Sequence, residues 1–176
     1  NFDGPKGYKD ITDNAYGKIV LDRGEIVFAS LFEFDRENIG VVTEVDKDVI
    51  EYVNSFGDKD EELDLEDYDE VYVYNPDFTK ADVEDIDKDS AIFFWEGDDD
   101  DVYIIVKNDS VVGEVDRVRE DKLRVDGKEY KEGSYAFITL DKGDNYQEWK
   151  REDVEDFIDE EVRVILDLRG RVLLVT

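Results

Sequence analysis

The stretch GVVTEVDKDVI at residues 40–50 decides the fold, because it returns later in the chain as GEVDRVREDKL at residues 113–123. One Gly, two Val and one Asp recur at equal spacing, with an offset of 73 residues from Gly40 to Gly113. Each stretch is a β-branched run, a short polar turn and a second apolar residue set, which is typical of a β-hairpin.

A second match follows the first in the same order. The segment FTKADVEDI at residues 78–86 corresponds to WKREDVEDF at residues 149–157, with an offset of 71 residues from Asp82 to Asp153. Two matches with nearly equal offsets indicate a tandem duplication. We therefore predict one module at residues 37–110 and a second at residues 111–176.

A third, partial match precedes these two. The segment KIVLDRGEIVF at residues 18–28 reads like RVILDLRGRVLL at residues 163–174, and both are an apolar run, Asp, a Gly turn and an apolar run. This pattern predicts a hairpin. Residues 1–36 are accordingly predicted to be the C-terminal tail of a preceding module.

The local patterns predict a mainly β fold with short helices, arranged as tandem small β-barrel or β-sandwich modules, each with one short closing helix. The acidic stretch 55–68 is predicted to be a loop. Residues 78–86 are predicted to be the helix, with Thr79 as N-cap and Phe78 against Val83. Lys150 stands where Thr79 did, so the second helix is expected to be frayed or shifted. Strands are predicted at residues 40–46, 49–53, 70–74, 91–95, 102–106, 111–118, 122–125, 135–140, 162–168 and 172–175.

The charge restricts the partners. There are 22 basic and 51 acidic residues, a net charge of −29, while 40% of the residues are hydrophobic and 12% aromatic. A chain of this composition folds, but it repels phosphate backbones and anionic lipid, so neither nucleic acid nor a membrane surface is an expected partner. No apolar run approaches the roughly 18 residues of a membrane span, so direct membrane insertion is not expected.

The missing residue types bear on catalysis and on location. The chain has no Cys, His or Met. Without His there is neither an imidazole base nor a His-ligated metal, and no phosphate-binding Gly-rich motif is present, so the protein is predicted not to be an enzyme. The lack of Cys suits an exported bacterial protein, and we expect an extracellular, cell-surface location with targeting segments outside this chain.

One turn is a candidate calcium site, and no other cofactor is expected. Four consecutive carboxylates repel one another, and a calcium ion with its six to eight oxygen ligands would relieve that repulsion. The alternative is a solvated hairpin tip. The corresponding turn of the second module, residues 167–171, carries Arg, so such a site would not be common to both modules. The candidate ligands are Asp98, Asp99, Asp100 and Asp101.

Aromatic side chains offer a second kind of candidate site. Tyr72, Tyr74, Phe94 and Trp95 could bind sugars by stacking. All four fall inside predicted strands, so packing in the core or between modules is the alternative reading.

The segments GEVDRV (113–118), DKLRVDGKEY (121–130) and VILDLRGRV (164–172) resemble the repeats of Gram-positive S-layer proteins, the surface proteins that carry S-layer homology anchoring domains. The resemblance implies a structural, lattice-forming or stalk-like role. It implies neighbouring modules of the same chain, or other copies of the protein, as partners, and attachment to the cell wall through regions outside this chain.

Other function classes stay open at this point. An adhesin or carbohydrate-recognition module would use a concave aromatic or polar site in one copy. A structural protein of a virion or phage tail has the same requirements as a surface repeat. A hydrolase with two carboxylates and a halophile's cytosolic protein are further alternatives.

Overall fold

The computed structural model describes residues 16–32, 34–140 and 145–176, and it is mainly β, as predicted. The chain divides into two compact units, residues 1–35 and residues 36–176.

The first unit contains one antiparallel hairpin, formed by β1 (Tyr16–Asp22) and β2 (Glu25–Phe32). Arg23 and Gly24 form the turn, and both have positive φ, 50° and 86°. The hairpin predicted at residues 18–28 is therefore present. Residues 1–15 and residue 33 of the predicted tail lie outside the described residues, and its origin in a preceding module stays a prediction.

The second unit begins with a seven-stranded sheet in the order β5-β4-β3-β8-β9-β6-β7, whose one parallel pair is β6 with β9. A 3-10 turn at Leu65–Asp67 joins β5, at one edge of the sheet, to β6, next to the other edge. This short connection brings the two ends of the sheet together, so the sheet curls around its core. We call it the open barrel. Its strands are β3 (Ile39–Asp46), β4 (Val49–Asn54), β5 (Glu61–Asp64), β6 (Glu70–Tyr74), β7 (Lys80–Ala81), β8 (Ala91–Glu96) and β9 (Asp101–Lys107).

A six-stranded sheet follows in the order β11-β10-β14-β15-β12-β13, and a further β11–β12 pairing closes five of its strands into a barrel. We call it the closed barrel. Its parallel pair is β12 with β15. Its elements are β10 (Ser110–Arg119), β11 (Lys122–Val125), β12 (Lys128–Leu140), β13 (Asn145–Glu148), α1 (Arg151–Glu155), β14 (Glu161–Leu166) and β15 (Val172–Val175).

The two barrels have the same connectivity. Strands β5 and β6 of the open barrel together correspond to β12 of the closed barrel. A 3-10 turn precedes β8 in the open barrel, and α1 precedes β14 in the closed barrel. The registers agree, because Gly40 lies opposite Ile92 and Gly113 lies opposite Val162. A five-stranded Greek-key barrel of this kind is an OB-type fold. The shared connectivity supports tandem modules at residues 37–110 and 111–176, and that division stays a prediction.

Each barrel has its own apolar core, formed by alternate residues of its strands. Most of the fully buried side chains are aliphatic, and few polar residues are buried with them. In the open barrel the core includes Val42, Ile50, Tyr52, Leu63, Val73, Ile92, Phe94, Val102 and Ile104. In the closed barrel it includes Val115, Leu123, Val125, Tyr130, Ile138, Trp149, Val154, Val164 and Val175.

The loop predicted at residues 55–68 is wrong in its second half. Glu61–Asp64 forms β5, which pairs with β4, and a 3-10 turn follows it. The reason is that Leu63 and Leu65 are both buried, at 4% and 6% exposure, so two apolar side chains are enough to hold the acidic segment on the barrel.

The helix predicted at residues 78–86 is also wrong in its extent. The open barrel has only a 3-10 turn at Val83–Asp85, because Lys80 and Ala81 pair with Tyr74 and Val73 of β6 as strand β7 and so cannot be helical. The Thr79 hydroxyl donates to Asp77 at 2.6 Å and does not cap this turn. The closed barrel keeps an α-helix at Arg151–Glu155 although Lys150 makes no side-chain cap, since Val154 is fully buried beneath it.

The repeated glycines are required by close packing between strands. A Cβ at Gly40 would lie 2.7 Å from the carbonyl oxygen of Val53 and would meet the Tyr52 ring. A Cβ at Gly113 would lie 2.7 Å from Cγ of Asp126 and 2.8 Å from Cγ1 of Val125. The glycine that opens each copy of the sequence match therefore has a steric cause.

We predict that Gly40→Ala and Gly113→Ala each lower the free energy of unfolding by about 1–3 kcal/mol, the usual cost of overpacking. The matched control is Glu114→Ala, an exposed neighbour on the same strand, which should change it by less than about 0.5 kcal/mol. Urea unfolding measures both. Equal stability of Gly113→Ala and Glu114→Ala would show that the close approach is not limiting.

Candidate functional site: the interface between the barrels

Both barrels bury apolar residues on the side that faces away from their own cores. These residues alternate with core residues along each strand, so they point outward. In the open barrel they form what we call the receiving face, at most 4% exposed: Ile39, Val41, Val53, Ala91, Phe93 and Ile105. In the closed barrel they form what we call the docking face, equally buried: Phe137, Ile165 and Leu174.

Polar contacts at the border of these faces run from one barrel to the other. Arg163 on β14 donates from Nη1 to Oδ2 of Asp89 at 2.6 Å. Gly57 lies so close to Tyr146 on β13 that a Cβ would be 3.2 Å from its backbone. We infer that the docking face packs on the receiving face, which explains why outward-pointing apolar residues are buried.

Arg36 is the polar centre of this border. Its Nε and Nη2 donate to the carbonyl oxygen of Ser55 at 3.2 and 3.0 Å, and Nη2 also reaches Glu148 of the closed barrel at 3.3 Å. The guanidinium lies 4.5 Å from the ring centroid of Phe56 and 5.7 Å from that of Tyr135. One side chain thus contacts both barrels through charge, hydrogen bonds and ring faces.

The equivalent of the docking face in the open barrel is aromatic. Tyr103 lies opposite Tyr72 and Trp95, as Leu174 lies opposite Phe137 and Ile165. We call Tyr72, Tyr103 and Trp95 the aromatic ladder. Neighbouring ring centroids are 4.9 and 5.1 Å apart with interplanar angles of 15° and 9°, and all three side chains are half-buried.

The receiving face has a different equivalent in the closed barrel. The open-barrel pair Ile39–Phe93 corresponds to the pair Val112–Arg163 in the closed barrel. The open-barrel pair Val41–Ala91 corresponds to the pair Glu114–Glu161. All four of these closed-barrel residues are exposed. The interface therefore uses two different faces and occurs once in the described chain.

The predicted sugar-stacking residues are divided by the structure. Phe94 is a core residue, at 6% exposure, whereas Tyr72 and Trp95 are part of the ladder. Tyr103 was missed, because only the cross-strand register places it between them. The centroid spacing of about 5 Å is close to the distance between neighbouring strands, so the rings stack on one another's faces.

Burial and neighbouring carboxylates keep several tyrosines protonated. Removal from water, followed by the charge of Asp101, raises the pKa of Tyr72 and of Tyr103. Burial, with Glu61, raises the pKa of Tyr52 to about 12. Burial and a 3.0 Å hydrogen bond to Glu96 raise the pKa of Tyr68 to about 12. The hydroxyls of Tyr68 and Tyr103 each donate a hydrogen bond to a neighbouring carboxylate, Glu96 and Asp101 respectively.

Glu132 on β12 is a partly buried carboxyl group of the closed barrel. Burial raises its pKa, with smaller contributions from the charges of Asp121 and Glu148, both of which are exposed. The shift is the ordinary effect of placing a carboxyl group in a partly dry position.

A cavity of about 710 Å³ lies at the end of the open barrel that the short 3-10 turn leaves uncovered. Its floor is aliphatic, and Lys47 and Lys80 lie at its rim beside acidic residues. At the corresponding end of the closed barrel, beside α1, the pocket is smaller, about 340 Å³. The larger cavity thus occurs in the barrel with the shorter helical segment.

The candidate calcium ligands lie on the turn between β8 and β9. Asp99 and Asp100 are exposed and have φ of 65° and 56°, while Asp101 lies 3.4 Å from the hydroxyl of Tyr103. The side chain of Asp98 is outside the described part of the structure. Among the described residues, no group of three or more acidic side chains is placed to hold a metal ion. Calcium binding here stays a prediction.

Comparison of the chain with protein-family models, curated proteins and solved structures gave no match. No helix within the described ranges is long and apolar enough to cross a membrane. The interface and the aromatic ladder are therefore the observations that bear on function.

We predict that Arg36→Ala lowers the free energy of unfolding by about 1–3 kcal/mol, because the Ser55 carbonyl loses its charged donor and two rings lose their cation. The matched change Arg163→Ala removes an ion pair whose side chains are 43% and 33% exposed, so it should cost less than about 1 kcal/mol. Urea unfolding of both variants makes the comparison. A smaller loss for Arg36→Ala than for Arg163→Ala would contradict this assignment.

Proposed function

We propose that the chain is a structural, non-catalytic module of a bacterial cell-surface protein of the S-layer type, acting in lattice or stalk assembly. The observation that carries the proposal is the interface between two unlike faces. A symmetric pair of subunits uses the same patch twice, whereas unlike faces add units in one direction. This is how tandem repeats extend, with contacts mainly between neighbours.

The connection between the barrels suits a load-bearing role. Only Asn108 and Asp109 separate β9 from β10, so the linker gives little freedom. The interface adds a contact between buried, outward-facing apolar residues, and the polar border fixes its orientation. A module built in this way keeps the two barrels at one fixed geometry, which a spacer or lattice unit requires.

The charge fits the same role. At a net charge of −29, copies of the chain repel one another in dilute salt, and multivalent cations or a saline medium reduce this repulsion. The proposed partners are neighbouring modules of the same chain or other copies of the protein. Calcium at Asp98, Asp99, Asp100 and Asp101 is the proposed means by which cations would act.

Carbohydrate recognition is less well supported by the geometry. A sugar stacks on an exposed ring face, and the ladder turns the faces of Tyr103 towards its two neighbours. Only the outer sides of Tyr72 and Trp95 could serve, and they lie at opposite ends of the ladder. The ladder is better explained as cross-strand packing that stiffens the sheet.

Immunogold labelling of cells that express the protein natively tests the proposal, with antibodies raised against the folded chain. We expect label along the outer surface, and loss of that label when intact cells are treated with protease while a cytoplasmic marker is retained. Label confined to the cytoplasm would overturn the proposal, and so would label on virions alone.

A further inference from the structure

The hairpin β1–β2 exposes apolar side chains on both of its faces. Ile19 and Leu21 are 51% and 60% exposed, and Val20 and Phe28 on the alternate positions are 39% and 53% exposed. A strand pair with two apolar faces is typical of a buried sheet, and an isolated hairpin is marginally stable in water. The hairpin therefore has the composition of an interior element.

The register of this hairpin is the register of the last hairpin in the closed barrel. In β1–β2, Ile19 pairs with Ala29, Val20 with Phe28 and Leu21 with Ile26, with a bulge after Val20. In β14–β15 the pairs are Val164–Val175, Ile165–Leu174 and Leu166–Val172, with a bulge after Ile165. The corresponding hairpin of the open barrel, β8–β9, pairs without a bulge. The match is thus specific to β14–β15.

The surroundings of the two hairpins differ. In the closed barrel, β10 pairs with the side of β14 that faces away from β15, and β12 pairs with the side of β15 that faces away from β14. Among the described strands, β1 and β2 form a two-stranded sheet with no further strand beside them. The outer edges of β1 and β2 thus present backbone N–H and C=O groups with which a further strand can pair.

We propose that β1–β2 is the closing hairpin of a third barrel, and that its partner is a three-stranded sheet of the same repeat, with the connectivity of β10, β11 and β12. One partner strand would pair antiparallel with β1 and another parallel with β2, as β10 and β12 do with β14 and β15. The inference stands on the hairpin's own register and exposure, and it holds whether or not the protein lies at a cell surface.

The register also assigns a role to each face of the hairpin. Ile19 corresponds to Val164, which lies in the core of the closed barrel, so this face covers the new core. Val20 and Phe28 correspond to Ile165 and Leu174 of the docking face, so they face outward from the completed barrel. A charged substitution on the core-facing side of β1 should therefore have a different effect from one on its outward-facing side.

The test is a fusion in which a second copy of residues 110–160 replaces residues 1–15 and joins directly to Tyr16, because Tyr16 corresponds to Glu161. Hydrogen exchange of the amides in residues 16–32 is compared between the fusion and the unmodified chain. We expect protection in both strands to rise by more than about 100-fold, because the hairpin becomes part of a cooperative barrel.

Three control fusions make the outcome specific. Val115→Asp together with Leu123→Asp, in the added copy only, removes two core residues of the partner sheet and should abolish the gain. Ile19→Asp should abolish it as well, whereas Val20→Asp should retain it. Unchanged protection of residues 16–32 in the parent fusion would overturn the proposal, whether or not the added segment folds. A gain of equal size in the double-aspartate control would overturn it too, because the contact would then be unspecific.

Discussion

Burial of outward-pointing apolar side chains is the constraint on which the arrangement of the two barrels depends. A module of about 70 residues buries only a modest core, so a second buried surface is needed for stability. Phe137, Ile165 and Leu174 supply it from the closed barrel, at roughly 1.5–3 kcal/mol for each fully buried side chain. Because the receiving face of the open barrel is a different set of residues, this contact has a direction.

The residues equivalent to Ile165 and Leu174 of the docking face are apolar or aromatic in both barrels and in the first hairpin. They are Trp95 and Tyr103 in the open barrel, and Val20 and Phe28 in the first hairpin. The residues equivalent to the receiving face are mostly charged in the closed barrel, where they include Arg163 and two glutamates. The proposed structural role rests on this asymmetry of the two faces.

The sequence repeats were sufficient to predict the hairpins and the mainly β class, because both depend on local alternation and turn residues such as Asp126-Gly127. Long-range pairing was not predictable in the same way. The parallel pairs and the ladder position of Tyr103 depend on a register that only the closed sheet defines. Strand β5 was missed because Leu63 and Leu65 stand alone among acids. The helix at residues 78–86 was wrong because Lys80 and Ala81 pair with β6, and local sequence does not reveal that pairing.

The most direct test of a single, rigidly coupled pair of barrels uses the two tryptophans of the chain, since Trp95 lies in the open barrel and Trp149 in the closed barrel. Trp149→Phe leaves a fluorescent reporter in the open barrel, and Trp95→Phe leaves one in the closed barrel. In urea, the fluorescence transition of each variant should coincide with its own far-UV circular dichroism transition, which reports on both barrels. Adding Ile165→Asp to each variant should separate these two transitions. Two separate transitions with the interface intact would contradict the account.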